Sequence, residues 1–205
     1  MPEQRRSTES RQAELTDAAL HIIATRGITA LSTRSLAEAV GLSSGAIFRH
    51  FASIDALLGA VVGRVEGVLE ASYPPPGLRG RAGLTHFVDA RSTAVGAQLG
   101  ILRLVLSEQF ILALPDAGRE RLAACVRKSR AFIEACLREG QGAGEFRDDV
   151  DAGALAAIVM GTIQMLAFSK ASGDEREADS RRVRAGLFAL LSAPAAPAAA
   201  GTRER

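Results

Sequence analysis

The chain has 205 residues, of which 47% are apolar and 23% are charged, proportions that exclude disorder along its whole length. Twenty-five basic residues balance 23 acidic ones to a net charge of +2, so composition alone does not indicate nucleic acid or an anionic membrane as a partner. Tryptophan is absent and there is one tyrosine, so leucine, isoleucine, valine and alanine must supply most of the core.

The first ten residues, MPEQRRSTES, lack the apolar segment of a secretory signal. Residues 152–169 are uncharged and approach the length of a membrane span, but they include two glycines, Thr162 and Gln164, so we reject a spanning helix. We therefore expect a soluble, cytoplasmic protein.

The two cysteines are expected to be free thiols. Cys125 and Cys136 lie on one predicted helix, where eleven residues span about 16 Å, too far for a disulfide. Neither has a histidine or a second cysteine at metal-ligand spacing, so we predict no metal site and no cofactor.

Apolar residues recur at intervals of three and four along most of the chain, which predicts an all-α fold. Residues 1–10 are expected to be a flexible arm. The first helix covers 11–26, and Gly27 follows it where a left-handed cap is expected. Ser32 is the predicted N-cap of a second helix, which ends at Val40 before Gly41.

Two more helices complete this part of the chain. Ser43 or Ser44 caps a helix of barely two turns that ends near Phe51. Ser53 caps a longer helix, and its amphipathic stripe runs from Ile54 to Leu69.

The segment Tyr73–Gly77, with three consecutive prolines, is the clearest internal boundary. It separates a first domain, residues 11–70, from a second domain, residues 71–193. Helical patterns in the second domain cover about 84–97, 99–113, 116–139, 152–171 and 176–192. Residues 194–205 are expected to be a disordered tail.

Residues 32–51 have the features of a helix-turn-helix motif, in which two short helices are joined by a turn that contains glycine. Gly41 can adopt the positive φ that this turn requires. The second helix carries short side chains and Arg49 away from its apolar face, a surface able to enter a DNA major groove. Taken alone, the same stretch is also compatible with an ordinary helical hairpin.

The context of this motif carries further matching features: the Ala18-Ala19 pair, Gly27, Gly41, Ser-x-Gly at 43–45 and Phe-Arg-His-Phe at 48–51. Over residues 11–62 the chain therefore resembles the TetR/AcrR family of transcriptional regulators, and elsewhere it resembles the family in helical layout and length. The resemblance implies a homodimer of nine- or ten-helix subunits. Each subunit would have an N-terminal three-helix, helix-turn-helix DNA-binding domain and a C-terminal helical domain for ligand binding and dimerisation.

The resemblance also implies roles for individual residues. Ser32, Thr33 and Arg34, at the start of the second helix, are expected to contact DNA phosphates, because a helix N-terminus favours anions. The residues expected to face base edges are Ser44, Gly45, Ala46 and Arg49, of which Arg49 is the best suited to guanine. Phe48 and His50 are expected to lie against the DNA backbone or thymine methyl groups.

Two positions depart from the family pattern. Phe48 stands where the family usually has a tyrosine that bonds a phosphate, and Ile54 stands where it usually has a lysine. Arg5 and Arg6 in the arm either compensate for these contacts or are solvated charges. The alternative to a DNA-binding regulator is thus a helical ligand-binding or interaction protein with weakened or lost DNA binding.

The helix predicted at 152–171 is apolar nearly all round, so it must be buried on more than one side. We predict that it meets its own subunit on one side and, with the helix at 176–192, a second subunit on the other, in a two-fold four-helix interface. The predicted interface residues are Ile158, Gly161, Met165, Phe168, Val183, Leu187 and Leu191.

Polar residues within the apolar helices of the second domain predict a pocket for a small organic effector. The candidate lining residues are Arg103, Leu106, Gln109, Phe110, Phe132, Met160 and Gln164. Arg103 can instead form a salt bridge with Glu108, and Met160 can simply fill the core. The sequence does not identify the effector.

Enzyme motifs are absent from the sequence, which has no glycine-rich phosphate loop before a lysine and no nucleophile elbow. We therefore predict a DNA-binding transcriptional regulator that is not an enzyme. The resemblance favours a repressor that a small-molecule effector releases from a palindromic operator, although the residues themselves do not distinguish a repressor from an activator.

Overall fold

The structure, a computed structural model, describes residues 8–97, 107–168 and 173–193, with the backbone alone at 93–97 and 168. The N-terminal helices are α1 (Thr8–Arg26), α2 (Thr33–Val40), α3 (Ser44–Ile47) and α4 (Ile54–Glu70). The helices that follow in the described ranges are α5 (Gly80–Ala97), α6 (Glu108–Ala113), α7 (Asp116–Gly142), α8 (Ala152–Phe168) and α9 (Gly173–Leu191). A 3-10 turn, Ile28–Ala30, lies between α1 and α2.

The all-α prediction is confirmed. Within the described residues, the one β-type pairing is an isolated bridge between Phe146 and Ser192. Over the same ranges, no helix combines the length and the hydropathy that crossing a membrane would need.

One apolar core holds the N-terminal helices together. Leu15 of α1, Leu36 of α2 and Val61 of α4 are fully buried in it, because apolar spacing of three and four places them on the inner faces of their helices. Phe110 of α6 and Leu122 of α7 belong to the same core. The core therefore extends across the boundary predicted near residue 71.

A second core lies between α5, α7, α8 and α9, where Phe87, Ile133 and Phe146 are among the largest buried side chains. The Phe146 ring packs directly on Gly140, near the end of α7. A Cβ atom at position 140 would lie 2.7 Å from Cε2 of Phe146, a distance that two carbon atoms cannot share. A glycine at this position is therefore what lets the chain after α7 fold back onto the helix.

Several helix ends differ from the sequence prediction. α7 continues to Gly142 instead of ending at 139, because the packing of Phe146 offsets the low helix propensity of the glycines there. α1 begins at Thr8, α5 at Gly80 and α9 at Gly173, each three or four residues earlier than predicted. The predicted helices at 99–113 and 152–171, the arm and the tail lie partly or wholly outside the described residues.

Cys125 and Cys136 are free thiols, as predicted. Cys136 is buried in the second core, and this burial raises the pKa of its thiol to about 11. The thiol is therefore protonated at neutral pH and chemically inert. No group of metal-ligating side chains occurs within the residues that the structure describes.

Candidate functional site

The start of α2 is organised by a reciprocal pair of serines. The Oγ of Ser32 accepts a hydrogen bond from the backbone N–H of Ser35 at 3.0 Å, and the Oγ of Ser35 accepts one from the backbone N–H of Ser32 at 3.0 Å. This capping box fixes the helix start at the predicted N-cap. The positive end of the helix dipole lies here, beside the exposed side chain of Ser32 and the half-buried Thr33.

Arg34 extends from the same helix end into solvent. Its Nε donates to Oε1 of Glu38 at 3.0 Å, and both side chains are largely exposed. An ion pair this exposed contributes little to stability. Arg34 is therefore able to exchange Glu38 for another anion, such as a phosphate, at small cost.

The turn between α2 and α3 depends on Gly41, which has φ 68° and ψ 34°, the left-handed conformation predicted for it. The next residue, Leu42, donates its backbone N–H to the carbonyl of Ala37 at 2.9 Å, which closes the turn. Ser43 is extended and precedes α3 as its N-cap. Two helices joined in this way form the helix-turn-helix that the spacing predicted.

Helix α3 is a single turn, continued by further turns up to Phe51. Its outer surface consists of Ser44, Gly45 and Arg49, which are exposed, and Phe48, which is 51% exposed. Ala46 does not belong to this surface. It is only 7% exposed, so little of its side chain is available for the predicted contact with base edges, which stays a prediction.

Gly45 lies in the middle of the exposed surface of α3. Its φ is not positive, and a Cβ atom added to it would have no heavy atom within 4 Å among the described residues. The fold of the subunit therefore does not require glycine here. Instead, the absence of a side chain at position 45 leaves room for a partner to approach this surface closely.

His50 ties the end of the motif to α1. Its carbonyl accepts a hydrogen bond from Nε2 of Gln12 at 2.8 Å. The ring is half-buried, and its Nδ1 is buried without a hydrogen-bond partner in the part of the chain that the structure describes. His50 therefore offers an approaching partner the exposed part of its ring.

The start of α4 lies beside this motif. Ser53 is its N-cap, as predicted, and its side chain accepts a hydrogen bond from the backbone N–H of Ala56 at 3.1 Å. Ile54 is half-buried and packs against the N-terminal core. It therefore begins the apolar stripe of α4 and supplies no charge to the surface.

A second surface of interest is formed by α8 and α9. Ile158 and Leu190 are more than half exposed, and Met165 is 71% exposed. Ile158, Gly161 and Met165 are spaced by three and four residues, so they share one face of α8. This face is apolar and, in the single subunit, is open to solvent.

Two of the predicted interface residues are not on this face. Leu187 and Leu191 are buried in the core of their own subunit, because α9 packs against α8 along the side that carries them. Val183 is half-buried, and the side chain of Phe168 lies outside the described residues. Leu190, which the sequence prediction omitted, is the exposed leucine of α9.

The predicted pocket residues that the structure describes lie in different surroundings. Phe110 is fully buried in the N-terminal core, and its role in a pocket wall stays a prediction. Gln109 is exposed, while Met160 and Gln164 are half-buried on α8. Phe132 lines a cavity of about 330 Å³ beside Tyr73–Leu78. Arg103 and Leu106 lie outside the described residues.

A further cavity, of about 410 Å³, lies where α4, α5 and α7 meet. Its lining residues are Gly63, Glu66, Gly67, Leu69, Glu70, Tyr73, Arg91, Cys125 and Lys128. Five of these belong to α4, which also shares the N-terminal core with the helix-turn-helix. The cavity is therefore adjacent to the element that connects the two parts of the subunit.

Arg91 is the buried charge in this cavity wall, with only 5% of its surface exposed. Its Nη2 donates to the carbonyl of Leu69 at 3.2 Å and to Oγ of Ser129 at 3.1 Å, and its Nε donates to Oγ of Ser72. Desolvation lowers the pKa of Arg91 from its ordinary value, but an arginine remains charged at neutral pH.

Sequence reasoning missed Arg91, although a signal was present. Leu84, Phe87 and Val88 form the buried stripe of α5, and Arg91 follows them at the next position of the same face. An arginine at the inward position of an amphipathic helix is seldom fully buried without a partner.

Two family models match the chain. The model described as bacterial regulatory proteins, tetR family, matches residues 15–61, and the model described as tetracyclin repressor-like, C-terminal domain, matches residues 112–185. Together they cover more than half of the chain. The first match contains the helix-turn-helix, and the second extends from α6 into α9.

Individual proteins agree with these matches. The HTH-type transcriptional repressor KstR2 of Rhodococcus jostii is 28% identical over 147 residues, 69% of this chain and 70% of the relative. The solved structure of the ketosteroid transcriptional regulator KstR2 of Mycobacterium tuberculosis is 19% identical with a TM-score of 0.71, covering 90% of this chain and 96% of that one. The structure of AibR in complex with isovaleryl coenzyme A and operator DNA is 16% identical, also with a TM-score of 0.71, and covers 90% and 99%. The two solved structures share the fold of this chain.

Proposed function

Because the chain belongs to the tetR family of bacterial regulatory proteins and is a DNA-binding transcriptional regulator, we propose that it is a repressor, which a small-molecule effector releases from a palindromic operator. In this proposal α3 enters the major groove, and the start of α2 binds the phosphates beside it.

The observation that carries the proposal is the outer surface of α3. Ser44 and Gly45 are short and exposed, Arg49 is exposed beside them, and the space in front of Gly45 is open. A short-sided helix surface next to one arginine suits close approach to base edges, with the arginine donating two hydrogen bonds to guanine. Phe48 adds an exposed apolar side chain that suits a thymine methyl group.

The palindrome follows from the apolar face of α8 and α9. Ile158, Met165 and Leu190 are solvated in the single subunit, and a second copy of the same face would bury them around a two-fold axis. A two-fold dimer presents two copies of α3, so the operator is expected to be an inverted repeat. Its half-sites would be centred roughly 34–36 Å apart, or a multiple of that.

Release by an effector is supported by the position of the cavity near Arg91, which is lined by α4. AibR, whose fold this chain shares, was solved with both isovaleryl coenzyme A and operator DNA. A ligand in the cavity beside α4 would act on the helix that packs against the helix-turn-helix.

The test of DNA binding is a gel shift and footprint with the DNA that flanks the gene of this protein. We expect a shifted complex that scrambled DNA of the same length does not compete away, and a footprint over an inverted repeat. Ser44→Glu should abolish the complex, because it places a carboxylate against the DNA. The variant should still fold, since an acidic residue in the first turn of a helix is favourable. Ala131→Glu, at an exposed position of α7, adds the same charge elsewhere and serves as the control.

Two results would contradict the proposal. Equal affinity for flanking and scrambled DNA would favour the alternative, a helical binding protein with lost operator recognition. A reporter gene placed behind the footprinted site decides the direction of regulation, since repression requires lower expression when the protein is present. Higher expression would make the protein an activator.

A further inference from the structure

The charges around the cavity of about 410 Å³ are paired, with one exception. Nε of Arg121 donates to Oε1 of Glu66 at 3.0 Å, and Nζ of Lys128 donates to Oε1 of Glu70 at 2.7 Å. The two carboxylates of the lining are thereby neutralised. In contrast, the acceptors that the described residues supply to Arg91 are one carbonyl and two hydroxyl oxygens, all of them neutral.

A buried charge that no carboxylate bonds directly is costly, and neutral acceptors recover only part of that cost. The Arg91 guanidinium also lies 4.7 Å from the ring centroid of Phe87 and 5.7 Å from that of Tyr73, contacts that favour a cation. These rings do not neutralise the charge. Arg91 is therefore the one charge of this lining that no described carboxylate bonds directly, so it is the group in the wall that an entering carboxylate could bind.

We propose that Arg91 binds the carboxylate of a small organic acid whose apolar part occupies this cavity, and that such acids are the effector class of the regulator. Leu69 and the ring of Tyr73 supply apolar wall, and the glycines of α4 leave room beside them. The volume lies toward the lower end of the range for small-molecule sites. The effector role rests on the proposed function, while the binding site does not.

The same bonds indicate how the acid would act on DNA binding. Arg91 holds the carbonyl of Leu69, in the last turn of α4, and the hydroxyl of Ser72 just after it. A carboxylate competes with these neutral oxygens for the guanidinium, because charge-assisted hydrogen bonds are the stronger ones. Binding of the acid thus loosens the anchoring of the end of α4 to α5, which shifts the position of the helix-turn-helix packed against α4.

The chain offers a built-in probe for this cavity. Tyr73 is the only tyrosine of the sequence and there is no tryptophan, so intrinsic fluorescence reports on the cavity wall. We would titrate the full chain, without DNA, with sodium hexanoate, hexan-1-ol and hexyl phosphate. Hexanoate should change the Tyr73 fluorescence saturably, with an affinity at least about tenfold above that of hexan-1-ol. Equal affinities for acid and alcohol would overturn the proposal, and a preference for hexyl phosphate would overturn the assignment to carboxylates.

Two variants test the role of the charge. Arg91→Met should remove the preference for hexanoate over hexan-1-ol.

Since loss of the buried arginine can also unfold the chain, Glu70→Gln provides a second test at an exposed position. It removes a negative charge from the lining and frees Lys128, so hexanoate should bind about two- to fivefold more tightly, with hexan-1-ol unchanged. Weaker hexanoate binding by Glu70→Gln would contradict the proposal. Glu120→Gln, which breaks an exposed ion pair with Arg127 away from the cavity, is the control.

The effector role is tested separately by repeating the gel shift with hexanoate present. Release of the DNA by hexanoate and not by hexan-1-ol supports the role. If hexanoate binds at Tyr73 but leaves the DNA complex unchanged, the effector role is overturned and the binding site stands. If no specific DNA complex forms although hexanoate binds, the proposed function fails and the acid site again stands.

Discussion

At Gly45 the stability of the subunit and the proposed DNA contact favour different residues. Because a Cβ atom meets nothing there, Gly45→Ala should leave the free energy of unfolding unchanged or raise it by about 0.5–1 kcal/mol, as the gain in helix propensity predicts. The same methyl group would hold the DNA away, so operator affinity should fall about tenfold or more. Urea unfolding and fluorescence anisotropy with labelled operator measure the two effects.

The matched control for this prediction is Gly59→Ala. Gly59 is also a helical glycine with open space at its Cβ position, but it lies on α4. The Gly59→Ala substitution should stabilise the fold without any loss of DNA affinity. A Gly45→Ala protein that binds operator as tightly as the unmodified chain would show that α3 does not approach the bases closely.

Arg49 and Arg34 are expected to differ in what they recognise. Arg49→Ala should cost about 1–3 kcal/mol of binding free energy and relax the base preference at one position per half-site, since it removes a contact to a base. Arg34→Ala should weaken binding to specific and scrambled DNA alike, because a phosphate contact carries no sequence information. It should also reduce the slope of log affinity against log salt concentration by about 1. Anisotropy over a series of salt concentrations and a set of single-base operator variants separates the two behaviours.

Arg130→Ala, at an exposed position of α7, is the control for removing one positive charge. If Arg49→Ala changed neither affinity nor base preference, α3 would not be the recognition helix. The predicted roles of Ser32, Thr33, Ser44, Phe48 and His50 remain predictions that the same operator series can test.

At the scale of elements, the two sides of the α8–α9 pair have opposite roles. Met165 faces solvent, so Met165→Glu should dissociate a dimer and leave the subunit folded. Leu187 lies in the subunit core, so Leu187→Glu should unfold the protein by burying an unpaired charge. Sedimentation at micromolar concentration and circular dichroism distinguish dissociation from unfolding. Ala131→Glu is the control, and a wild-type mass of one subunit would contradict the proposed interface.

The end of α7 allows a similar comparison of two glycines. Gly140→Ala should destabilise the fold by about 1–3 kcal/mol, because the new methyl group overlaps the Phe146 ring. Gly142→Ala, two residues later, meets no atom and should be neutral or slightly stabilising. Thermal unfolding of the two variants side by side tests whether Phe146 holds this corner together. Equal melting temperatures would show that the ring moves aside freely.

At the scale of the whole molecule, the effector and the DNA are expected to be thermodynamically linked. If hexanoate weakens operator binding by some factor, operator must weaken hexanoate binding by the same factor, because the coupling free energy belongs to both sites. Isothermal titration calorimetry of hexanoate into the free protein and into the saturated DNA complex measures this factor. Unequal factors would mean that hexanoate also acts somewhere other than at the Arg91 cavity.

The amino-acid sequence by itself determined the approximate positions of the N-terminal helices, several of their caps and the helix-turn-helix. Ser32, Gly41 and Ser53 could be assigned from sequence because a cap or a turn is formed by residues within about four positions of each other, so its chemistry is local. The inner faces of α1 and α4 could be predicted for the same reason, since the period of a helix places apolar residues on one side.

The tertiary structure decided which residues are left on the surface. Ala46 and Leu187 turned inward, Phe110 joined the N-terminal core, and Arg91 became a buried charge beside a cavity. Each of these outcomes depends on contacts between helices far apart in the chain, such as Arg91 of α5 with Leu69 of α4 and Ser129 of α7. Local periodicity predicts that a helix has an inner face. The packing of the helices decides which neighbour covers that face and whether the neighbour carries an opposite charge.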